Sequence, residues 1–123
     1  MNALERAKTA YTAPGAPIRT LRGTEYEIFA RITHRLKAAS QAIGFSAMAR
    51  ALHDNRDLWT TLADDVADEA NALPLSLRQQ IIALAAFTRQ HSSRVLAGTA
   101  TAEVLIDINT AIMRGLKHDA GAA

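Results

Sequence analysis

The side chains in this sequence suited to acid–base, nucleophilic or metal chemistry are His34, His53, His91 and His118, the Ser92-Ser93 pair, and the acidic residues between Asp54 and Glu69. Zinc chemistry needs three or four ligands at fixed spacing, such as two histidines one helical turn apart with a third ligand beyond. Only His53 and Asp57 stand one turn apart, and two ligands do not make a site. Ser92 and Ser93 adjoin His91 as a nucleophile adjoins its base, but consecutive helical residues point in different directions and cannot share a proton. The glycines do not gather into a phosphate-binding loop. Cysteine is absent, which removes thiolate nucleophiles, disulfides and cysteine-ligated zinc together and suits a reducing compartment. No catalytic, cofactor-binding or metal residue is therefore assigned, and the chain is expected not to be an enzyme.

Charge points in the same direction. Fourteen basic residues against 12 acidic ones leave a net charge of +2, too small to argue for nucleic acid by itself. Arg19, Arg22, Arg31, Arg35 and Lys37 load the first half, whereas Asp54, Asp57, Asp64, Asp65, Asp68 and Glu69 load the middle. That is the pattern of two solvated helix faces, and it can also steer an encounter. A strip formed by Arg22, Arg31 and Arg35 around His34 is the only candidate contact for RNA, and neither stacking aromatics nor a basic recognition helix accompany it. No apolar run approaches the roughly 18 to 20 residues that span a bilayer, and the first residues lack the basic and apolar regions of a signal peptide. The protein is expected in the cytoplasm, without membrane insertion.

The elements that must position these side chains are helical. Alanine, leucine and arginine are plentiful and β-branched runs are scarce. At 123 residues the chain is expected to be one domain, with a core large enough to need no staples. Ala13-Pro14-Gly15-Ala16-Pro17 forms a hinge over 13–17, separating a short N-terminal helix over 1–12, with Leu4, Ala7, Lys8 and Tyr11 at helical spacing, from a helical core over 18–117. In the core, Leu21, Ile28, Ile32, Leu36, Ala39 and Ile43 predict a helix from Ile18 or Thr24 to Ile43, stopped by Gly44 in a left-handed cap. Phe45, Met48, Leu52, Asn55, Trp59, Leu62 and Val66 alternate by three and four, a heptad-like seam over about Ser46 to Asp68. After the turn Asn71-Ala72-Leu73-Pro74, Ser76 and Gln79 read as a capping box. Leu77, Ile81, Leu84, Thr88, His91 and Val95 then line one face, widened by Ile82 and Phe87 and ended by Gly98. A last helix is predicted over about Thr101 to Lys117, with 118–123 frayed. The fold class is all-α: a small bundle of about four packed helices with a semi-detached N-terminal helix.

Two asparagines stand where this pattern asks for apolar residues, Asn55 in the heptad-like seam and Asn109 among Leu105, Ile106, Ile112 and Met113. Each must find partners or carry a desolvation cost of about 1 to 3 kcal/mol. They either fix register inside the bundle or line a groove and satisfy a partner's backbone. Trp59, the only tryptophan, anchors either the core or an interface. Trp59, Leu62, Ile81, Leu84 and Ile112 are expected in the core, and His91 as a hydrogen-bonded core histidine. Tyr26 flanks the apolar stripe with its hydroxyl near solvent and suits a binding rim. What remains is a module that offers amphipathic helical faces to another protein.

Thr24-Glu25-Tyr26 with Phe29, Asn55-Arg56 with Trp59-Thr60-Thr61-Leu62-Ala63, Asn71-Ala72-Leu73-Pro74 with Leu77-Arg78, and Leu105 to Leu116 around Asp107 and Asn109 occur in an order and spacing that resemble the flagellar biosynthesis regulator FlaF family. The resemblance runs from about Tyr11 to Leu116. It implies a cytoplasmic, flagellin-binding export chaperone that regulates flagellin synthesis and secretion during filament assembly. Implied partners are flagellin, the FlbT regulator acting in opposition, and the flagellar export machinery. The alternative is a post-transcriptional regulator acting directly on flagellin mRNA. The residues it marks for partner binding are Tyr26, Phe29, Asn55, Arg56, Trp59, Asp107 and Asn109, with a groove rimmed by Tyr26, Arg56 and Asn109.

Overall fold

The computed structural model describes the backbone of residues 18–122 and the side chains of 25–115. Four helices make up the described chain: α1 at Ile18–Gln41, α2 at Phe45–Ala67, α3 at Leu75–Leu96 and α4 at Glu103–Ala122. Among the described residues there is no strand, so the fold is all-α. The expected N-terminal helix and its hinge lie outside the described residues, as do the side chains of Leu21, Arg22 and His118. No described helix is long and apolar enough to cross a membrane.

Short turns force consecutive helices to run antiparallel, and the two buried clusters show it. Phe29 from α1 shares one cluster with Leu58, Trp59 and Val66 of α2 and with Ile81 and Ala85 of α3. Toward the other end, Leu36 and Ala39 meet Ala51 and Leu52 together with Leu105 of α4. Extensive packing joins α1 to α2, α2 to α3 and α1 to α4. Helix α3 therefore rests mainly on one neighbour, which explains why Leu75, Leu77, Ile82 and Phe87 keep 39% or more of their surface exposed. Ile82 and Phe87 flank the buried face of α3 without widening the core. Leu62, Leu84 and Ile112, expected inside, are half-buried against the first cluster, while Trp59 and Ile81 are buried as the spacing implies.

Three helix ends depart from the sequence expectation, each for a local reason. Helix α1 stops at Gln41, so Ile43 falls in the turn. Gly44 has φ 107° and ψ 163° and stands as the N-cap of α2, where a left-handed C-cap of the first helix was expected. Only glycine occupies that backbone region without strain. A Cβ at Gly44 would meet nothing within 4 Å, so a Gly44→Ala loss is purely conformational. It should cost about 1 to 3 kcal/mol, read as a lowered midpoint in chemical denaturation.

At α3 the helix starts at Leu75 with Pro74 as N-cap and no side-chain cap. The fixed φ of proline launches the helix at once, with Arg78 N–H already bonded to the Pro74 carbonyl at 3.0 Å. Ser76 is thus inside the first turn, and no capping box forms. Asn71 organises this corner instead: its Nδ2 donates to the Asp65 carbonyl at 3.2 Å and its Oδ1 accepts from Leu73 N–H at 2.9 Å. The third departure is at α4, which continues through Ala122 past the expected fraying point. Gly98 does end α3 as expected. With φ 78° it lets Gly98 N–H bond the Val95 carbonyl and Thr99 N–H the Arg94 carbonyl, both at 3.0 Å, a Schellman closure.

Candidate functional site

The two asparagines meet each other. Asn109 Nδ2 donates to Asn55 Oδ1 at 2.8 Å, and Trp59 Nε1–H donates to Asn109 Oδ1 at 2.9 Å. Asn55 and Asn109 are both 0% exposed and Trp59 is 1% exposed. The Trp59 indole also meets the Phe29 ring edge-on, centroids 5.8 Å apart and planes at 81°. A polar layer therefore ties α2 to α4 inside the bundle. One amide hydrogen pair of the layer, on Asn55 Nδ2, has no hydrogen-bond partner among the described residues, and neither do the buried Thr33 and Thr88 hydroxyls.

Four of the seven residues expected to bind a partner, Phe29, Asn55, Trp59 and Asn109, are buried inside the described bundle, so a partner reaches them only if the helices part. Asn109 in particular cannot rim a groove. Of the other three, Asp107 is exposed and Tyr26 and Arg56 are half-buried. Tyr26 lies on α1, Asp107 on α4, and Arg56 in a notch between α2 and α3, and Asn109, expected on the rim with Tyr26 and Arg56, is buried. His91 is half-buried rather than in the core. Its Nε2 lies 2.8 Å from the Thr101 carbonyl and its ring stacks on Phe87 at 5.4 Å.

A groove does run along the α1–α2 face. Toward the turn it encloses about 510 Å³ and is floored by Ala38, Ala39, Ala42, Ala47 and Ala51. Toward the other end a second hollow of about 240 Å³ is lined by Ile28, Ile32 and Leu58 with Thr61 and Asp57. Between them Arg35 Nη1 reaches across to Asp54 Oδ2 at 3.3 Å, with the two side chains 54% and 33% exposed. An ion pair this wet contributes about 0 to 1 kcal/mol, so it closes the groove like a clasp that little energy opens. Beside the alanine floor, at the turn, Ile43 is fully exposed and Phe45 is 63% exposed.

Small floor residues let a third helix approach closely, because interaxial distance follows the side chains at the contact. Two large apolar side chains in water at the head of such a groove supply an anchor. Neither was legible as exposed, since the three-and-four spacing carries Ile43 into the α1 stripe and Phe45 into the α2 seam. The available signal was Gly44 between them, as residues flanking a tight turn belong to the surface. Among the described residues no three His, Asp or Glu side chains converge as metal ligands.

No curated protein and no solved structure matches this chain. A family model described as flagellar protein FlaF matches residues 7–116, a span that takes in the α1–α2 turn, the Asn71 corner and the whole Asn55–Asn109–Trp59 layer. By that match the chain belongs to the FlaF family of flagellar proteins.

Proposed function

We propose that this protein is a cytoplasmic, flagellin-binding export chaperone that also regulates flagellin synthesis and secretion during filament assembly, without being an enzyme. Flagellin has helical terminal segments that stay unpaired until the filament forms. A protein that holds such a segment needs an apolar groove, a polar rim and an affinity low enough for release. The observation that carries this reading is the exposure of Ile43 and Phe45 at the turn that joins the two helices walling the alanine-floored groove. A client helix covering both side chains would gain roughly 3 to 6 kcal/mol before ordering costs. Further contacts through the groove bring this into the micromolar range. Tyr26, Arg56 and Asp107 remain available at the surface for additional partners, among them FlbT and the export machinery.

The rival reading, direct action on flagellin mRNA, relied on Arg22, Arg31 and Arg35. Within that strip Arg35 pairs with Asp54, which offsets one of the three charges the rival reading needs. Co-purification of flagellin with this protein at low and high salt separates the two. A complex built on apolar burial persists at high salt, whereas contacts with RNA phosphates weaken steeply as salt rises. Loss of flagellin at both salts, with salt-sensitive retention of the mRNA, would replace the chaperone reading by its rival.

A further inference from the structure

On the opposite side of α2 from α1, His53 and Arg56 of α2 face Arg89 of α3 across a notch of about 320 Å³. Ala49 and Leu96, both half-buried, are its aliphatic lining, with Leu52 fully buried behind them. Among the described residues neither Arg56 nor Arg89 meets a carboxylate within 4 Å; the ion pair found there joins Arg35 to Asp54. Asp57 is the one acidic residue at the notch. Arg56 is half-buried, so part of its side chain packs against the notch. Two guanidinium forks on separate helices, lining one notch and without a carboxylate partner among the described residues, suit an oxyanion.

We infer that this notch is a docking site for an acidic segment of a protein partner, with a glutamate or aspartate carboxylate held between Arg56 and Arg89. Charge complementarity selects the occupant, and the rest of the notch selects protein over nucleic acid. Leu96, half-buried at the notch, suits the methylenes of an acidic side chain, no aromatic lines the notch to stack a base, and two arginines are far short of a phosphate-tracking stripe. The site opens between α2 and α3, shares only Asp57 with the lining of the α1–α2 groove, and stands whether or not that groove takes flagellin.

The test uses the full-length chain, a soluble peptide of alternating glutamate and alanine, and an RNA oligonucleotide of equal charge, with binding followed by NMR shifts of backbone and arginine side-chain N–H groups. The inference expects saturable peptide binding with the largest shifts at His53, Arg56 and Arg89. Arg89→Gln and Arg56→Gln should each weaken the peptide about tenfold, the effect of losing one charge-assisted pair. Asp57→Asn should tighten it, and Arg114→Gln, on an exposed part of α4, should change nothing. Arg89 is exposed, so its variant keeps the test valid should Arg56→Gln disturb folding, which a thermal melt reveals. Equal weakening by Arg114→Gln, failure to saturate, or tighter binding of the RNA at the same two arginines would each overturn the inference.

Discussion

Replacing Trp59 by alanine should destabilise the protein by about 3 to 5 kcal/mol, the range for truncating a large buried aromatic. The residue is 1% exposed and meets Phe29 edge-on, so the truncation leaves a cavity at the centre of the larger cluster. It also strips Asn109 Oδ1 of its indole donor, which sits 2.9 Å away. Against a total stability of about 5 to 15 kcal/mol for an ordinary domain, such a loss brings the chain close to unfolding. The melting temperature should fall by roughly 10 to 20 °C. Trp59→Phe separates the two contributions: it keeps most of the packing but orphans the Asn109 carbonyl, and should cost about 1 to 3 kcal/mol. Calorimetric melts of the two variants check both figures. A near-native midpoint for Trp59→Ala would show that the indole is not part of the core.

The second large effect is an asymmetry between the two asparagines. Asn109 serves two partners, accepting from Trp59 Nε1 and donating to Asn55 Oδ1. Asn109→Ala therefore leaves a buried indole N–H and a buried amide carbonyl without partners, at about 1 to 3 kcal/mol each. Asn55→Ala breaks one bond, orphans Asn109 Nδ2, and removes an amide nitrogen that already lacks a partner. Asn109→Ala should therefore be the more damaging, by on the order of 1 to 2 kcal/mol, although the two deletions remove the same volume. A double-mutant cycle in chemical denaturation should give a coupling of about 0.5 to 3 kcal/mol, as for residues sharing one network. Equal single losses with no coupling would mean that packing alone, and not the hydrogen-bonded layer, sets the energetics.

The same layer shows how far the sequence reaches. Asn55 and Asn109 stand out along the chain because each interrupts an apolar period, and this local signal correctly implies that they need partners. That they are each other's partner, 54 residues apart, depends on the vertical register of α2 against α4. Register is settled by packing across the bundle, which no single helix encodes. The helices themselves were legible from their three-and-four spacing and from the glycines and prolines between them. Ile43 and Phe45 were misplaced because periodicity counts residues straight through a three-residue turn. Ser76 failed as a cap because Pro74 starts the helix before the serine can. The notch between Arg56 and Arg89 was invisible for the same reason as the asparagine pair: its two cations lie on different helices.

The chaperone function proposed for this protein requires that the α1–α2 groove hold flagellin. Calorimetric titration of purified monomeric flagellin into the wild-type chain and into an Ile43→Ser/Phe45→Ser variant tests this most directly. Both side chains are largely in water, so the variant should fold with an unchanged melting temperature. The wild type should bind at micromolar or tighter affinity with little salt dependence, and the variant should lose about 100-fold or more, the equivalent of about 3 kcal/mol of apolar burial. Flagellin binding of equal strength by wild type and variant, or no binding by either, would contradict the groove as the seat of the protein's function.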